Sequence, residues 1–200
     1  SSSPEPAAAS SPAETDPETA DASGSDTLAR ILARAGSAIA LWALLVGAGV
    51  LAFAAFVMRE PDRADLPAVL AGVRWCGALL LGGLALRVVG RAALLQGGSI
   101  TDALNQSALE TALAGTVAWV IGLQAVGGVM LLLGAWRSVA TSAAAIAGAL
   151  VAGAGHVLGG HSNTAEPRGL VLVADVLHLG AAAVWVGGVL TLLAVLRRRR

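Results

Sequence analysis

With 200 residues, 56% of them apolar, a mean hydropathy of +0.75 and only 13% charged, the chain carries too little polar surface for a water-soluble globule of its size. Thirteen bases, all arginine, balance thirteen acids, so the zero net charge says little about partners and nothing points to nucleic acid. A single cysteine, Cys76, excludes an internal disulfide framework.

Residues 1–26 hold four prolines, six acids and no base, with no apolar periodicity that could bury a core. Residues 1–27 therefore read as a disordered acidic Pro/Ala/Ser linker. Self-repulsion and proline stiffness would hold it extended. No charged, apolar, cleavable leader follows the initial serine, so the expectation is a cut made within a longer protein.

Residues 28–200 read as an all-α, polytopic helical bundle of about five transmembrane helices. Asp26 and Thr27 are candidate caps for a helix that carries Arg30 and Arg34 into a first span at about 36–58. A polar loop of Arg59, Glu60, Asp62, Arg63 and Asp65 leads to a second span at about 66–89. Its Arg74 and Arg87 are expected to snorkel to opposite interfaces. Residues 91–110 are too polar to span and read as an interfacial helix broken at Gly97 and Gly98.

The third span, about 114–136, has Gln124 as its one strongly polar residue, for which an interhelical hydrogen bond is the expected role. A short turn at Arg137 and Ser138 makes the fourth span, about 139–158, antiparallel to the third. There Gly148, Ala152 and His156 stand at i, i+4 and i+8, a close-approach stripe ending in an imidazole. The fifth span covers about 170–196. The Arg197–Arg200 cluster marks a cytoplasmic end and leaves the N-terminus extracytoplasmic in a multi-pass protein of the cytoplasmic membrane.

The strongest chemical signal is the fifth span, DVLHLGAAAVWVGG from Asp175 to Gly188. Titratable groups at bilayer depth cost about 2.5–3.5 kcal/mol each on insertion scales, so they ordinarily face protein and mark a ligand site or pathway. At about 100° per residue, Asp175, His178 and Trp185 share one face. Ala174, Ala182, Gly187 and Gly188 around them lead to the expectation that the imidazole turns into the bundle. The chain's three histidines, His156, His161 and His178, all fall in the last hairpin beside Asp175. Imidazole suits copper, zinc, nickel or iron, and Asp175 can instead orient the ring from the next shell. Spacing alone does not choose among the metals. Trp185, Gly187 and Gly188 are assigned structural support, while Met58, Met130 and Cys76 read as apolar filler.

GHS at 160–162, a Pro/Arg loop and DVLHLGAAAVWVGGVLTLL together resemble the signature of the copper resistance D (CopD) membrane proteins. The stretch from Leu80 to Leu104, with GGSITDAL, is similar to that family's second span and following loop. The resemblance implies copper passage across the cytoplasmic membrane, no enzymatic activity, and His161, Asp175, His178 and Trp185 at matching positions. His156 is not part of that pattern and enters through clustering. Family members have about eight spans, and a copper-binding extracytoplasmic domain (CopC) is often fused ahead of them through a Pro/Ala/Ser linker like residues 1–26. Two other readings stand beside copper: a haem-carrying redox protein, because a similar His-to-Trp-Gly span occurs in membrane protoporphyrinogen oxidases, and a non-transporting membrane anchor.

Overall fold

Long uncharged runs have nowhere to place their backbone polar groups in a bilayer except in helices. The computed structural model describes residues 17–58, 65–134, 139–160 and 166–200. Among these residues there are seven helices and no strand: α1 (Pro17–Phe56), α2 (Leu66–Leu95), α3 (Ile100–Ala103), α4 (Gln106–Ala112), α5 (Thr116–Gly134), α6 (Val139–Leu158) and α7 (Arg168–Arg198). Four of them, α1, α2, α5 and α7, are long and apolar enough to cross a membrane, and the chain is an all-helical, multi-pass membrane protein. α6 has 20 residues, roughly 30 Å at 1.5 Å per residue, and its stretch Ser142–Leu158 is a shorter apolar helix than the other four.

Three boundaries differ from expectation. α1 begins at Pro17, so the expected linker 1–27 is helical over its last residues. Proline suits a first helical position because its missing N–H is unneeded there. Asp26 is not a cap but an interior residue whose carboxylate pairs with Arg30 one turn on. Residues 1–16 of that linker lie outside the described residues.

The second difference is that α2 runs to Leu95, absorbing the start of the expected interfacial helix. It stops where Gly97 and Gly98 take φ of +66° and +91°, a backbone that side chains beyond hydrogen disfavour. The remainder forms the two short helices α3 and α4, with Ser99 capping α3 by accepting from the Asp102 N–H. Lastly, α7 begins at Arg168 and extends to Arg198, two residues beyond the apolar run at each end.

Small residues set how closely the spans approach. A Cβ added at Gly83 would lie 2.8 Å from Gly36 O, and one at Gly90 would lie 2.9 Å from Ala29 O, so α1 and α2 pack backbone to backbone. α5 and α6 do the same through Gly127 and Gly148, beside Ala152. The Gly148–Ala152 stripe of the sequence is thus the α5–α6 contact. The core centres on Leu80 and Val73 of α2 and Leu131 of α5, with Leu44 and Leu51 of α1. α7 stands outside that core and buries only Ala183, Gly187 and Thr191, against α1.

Candidate functional site

Ala183, Gly187 and Thr191 recur every four residues and form the stripe that docks α7 on Gly49 of α1. Thr191 is 5% exposed and returns its hydroxyl proton to Gly187 O at 2.6 Å, so it needs no other partner. At about 100° per residue, His178 and Trp185 point roughly 160–180° away from Gly187. Both are exposed, Trp185 at 74%. The expectation that His178 turns into the bundle is therefore corrected. The small residues that do recruit a neighbour, Ala183 and Gly187, lie on the opposite side of the helix. Gly188 has nothing near its missing side chain, so of the two glycines only Gly187 braces the fold.

His156 is half-buried and lies within electrostatic reach of both Asp175 on α7 and Arg87 on α2. The last hairpin thus brings His156 and Asp175 towards one another, while His178 stands on the far face of α7. α6 and α7 diverge along most of their length, leaving between them a groove of about 280 Å³. Leu44 and Leu45 of α1, Leu150 and Val157 of α6, and Val176 and Leu179 of α7 line it, and every wall is apolar.

Behind His156 lies a second and smaller space. A cavity of about 30 Å³ is lined by Ser37 of α1, Arg87 of α2, Gln124 of α5 and His156 of α6, with Ala40, Leu41, Leu44 and Leu80. Four helices each contribute one polar side chain. Gln124 is 3% exposed and its buried Oε1 has no hydrogen-bond partner, so the expected interhelical hydrogen bond to that oxygen is not formed. Arg87 is half-buried at the same place, with its side chain on the lining of this cavity. The signal for this cluster was available in the sequence as depth. Arg87 is eight residues before the end of α2 and Gln124 eight residues after the start of α5, about 12 Å from the same end of an antiparallel pair.

The opposite end of the bundle is tied by charge. Arg199 donates from Nε (3.0 Å) and a terminal nitrogen (2.9 Å) to one carboxylate oxygen of Asp65, holding the end of α7 to the start of α2. This places the C-terminal arginines at the same end as the α1–α2 connection.

Among the described residues no three His, Cys, Asp or Glu side chains come together as a metal-holding group. His161 lies outside the described residues. Among the described residues, His156 and Asp175 are candidate ligands on separate helices that lie within electrostatic range of one another. Cys76 is buried against Gly47 of α1, consistent with an apolar role. No protein-family model, no curated protein and no solved structure matches this chain.

Proposed function

We propose that this chain handles copper in a cytoplasmic membrane, carrying the ion in from the end that bears α3 and α4, which is then extracytoplasmic. His156 and Asp175, from α6 and α7, are its inner contacts. His178 is a further ligand, completed by His161 and by protein packed on the exposed His178–Trp185 face. The reading rests above all on the Asp175–Gly188 motif and its resemblance to the CopD proteins. Its support in the fold is the approach of Asp175 to His156 across two helices.

Two physical points favour this arrangement. An imidazole and a carboxylate kept at bilayer depth need a partner, and neutral imidazole is a good copper ligand. Arg87 repels cations from the small cavity, so copper is kept out of the space shared with Arg87. The acidic N-terminal segment, placed outside, suits a tether to an extracytoplasmic copper-binding domain.

Copper accumulation by cells expressing the chain tests this. His178→Ala is expected to abolish accumulation and His161→Ala to weaken it. Accumulation at the wild-type level in both variants would contradict the assignment.

A further inference from the structure

We propose that the cavity between Ser37, Arg87, Gln124 and His156 is a binding site for one monoatomic anion of the chloride or bromide class. The site shares His156 with the copper reading but is tested without copper, so the failure of either is read separately.

Charge is the first argument. Arg87 stands within a membrane-spanning helix, and the ion pairs among the described residues, Arg30 with Asp26 and Arg199 with Asp65, do not include it. Another cation, Arg91, one turn further along α2, acts on it electrostatically. Among the described residues, the carboxylate that acts on His156 is Asp175 of α7, which is not among the cavity's lining residues. An uncompensated guanidinium at this depth costs several kcal/mol, and a small anion beside it removes most of that cost.

The second argument is the unfinished hydrogen bonding. Gln124 is 97% buried, from its 3% exposure, and the amide oxygen has no partner. The orphaned atom is an acceptor, and the oxygen and nitrogen ends of an amide exchange places by a half-turn of its terminal torsion. Turned over, it offers its NH₂ group to the space. Ser37 gives its proton to Ala33 O at 2.8 Å and can rotate to give it to an anion instead. Arg87, Gln124, Ser37 and an imidazole N–H then supply donors from four helices around one point.

Size is the third. About 30 Å³ is room enough for a particle the size of a water molecule or a halide. Water would fill the space and satisfy Gln124 but would leave the charge of Arg87 unanswered.

The test uses the whole chain in lipid or detergent with sodium bromide replacing chloride, and no copper. Anomalous diffraction at the bromine edge is expected to show one peak within reach of Arg87 and Gln124. Bromide peaks elsewhere with none in this cavity would overturn the proposal, as would density refining as water alone. In solution, the midpoint of thermal unfolding is expected to climb by a few degrees with chloride or bromide but not with gluconate at equal ionic strength. Arg87→Gln should flatten that dependence, and an equal response to all three anions in the wild type would count against the site. Because the diffraction measurement needs only the wild-type chain, a variant that fails to fold does not blunt it.

Discussion

Gly49 and Gly187 meet backbone to backbone: a Cβ on Gly187 would lie 2.6 Å from Gly49 Cα and 2.8 Å from Val46 O. This crossing lies on the stripe that docks α7, with the candidate copper residues, against α1. Gly187→Leu is expected to destabilise the protein by about 1–3 kcal/mol or more through overpacking. Gly188→Ala, one residue on and with open space around it, should be close to neutral. Unfolding midpoints in a common detergent compare the two, and equal effects would mean that α7 docks by another face.

The pair of Asp65 and Arg199 closes the other end of α7. Its arginine is half-exposed, so screening keeps it weak, with a double-mutant coupling energy of about 0.2–1 kcal/mol that shrinks as salt rises. Measuring Asp65→Asn, Arg199→Gln and the double variant at low and high salt gives the coupling directly. A coupling energy unchanged by salt would mark the pair as more buried than its geometry indicates.

Trp185 is exposed on the face of α7 away from α1. For the chain alone in a bilayer, a variant that keeps Trp185 and replaces the other four tryptophans by phenylalanine should be quenched strongly by lipids brominated on their acyl chains. Protection in the isolated chain would mean that another copy already covers this face. Protection appearing only when a further membrane partner is added would identify what completes the His178 side.

Haem held by axial histidines from two helices would need both imidazoles facing one space across the bundle. His156 sits beside the small cavity, whereas His178 faces away from it on α7, so the two do not share a pocket among the described residues. The purified chain is therefore expected to lack a Soret band, including after incubation with haemin and removal of the excess. A stoichiometric Soret band lost in His156→Ala would restore the haem reading.

The spans were legible because a bilayer enforces length and hydropathy at once, and α6 begins and ends at its expected residues. The Gly148–Ala152 stripe was legible for the same reason that it packs: small residues at helical spacing admit a backbone. Helical facing was misread at His178, where Ala174, Ala182, Gly187 and Gly188 suggested burial; of these only Gly187 lies on the true contact stripe of Ala183, Gly187 and Thr191, about half a turn from His178. Both sets contain small residues, and only the position of α1 decides between them. The cluster of Arg87 and Gln124 was missed because each residue was weighed within its own helix. Its meaning comes from two antiparallel helices bringing equal depths together, which no local pattern encodes.

The central claim is that histidines of the last two spans bind copper. Its most direct test is to load the purified chain in lipid nanodiscs with copper, remove unbound ion by dialysis, count metal per chain, and record the X-ray absorption of what remains. The account predicts retained copper in fixed ratio to protein, with imidazole scattering that diminishes in His178→Ala and again when His156 is also replaced. Equal copper in the wild type and in the double variant, or a spectrum without imidazole, would contradict it.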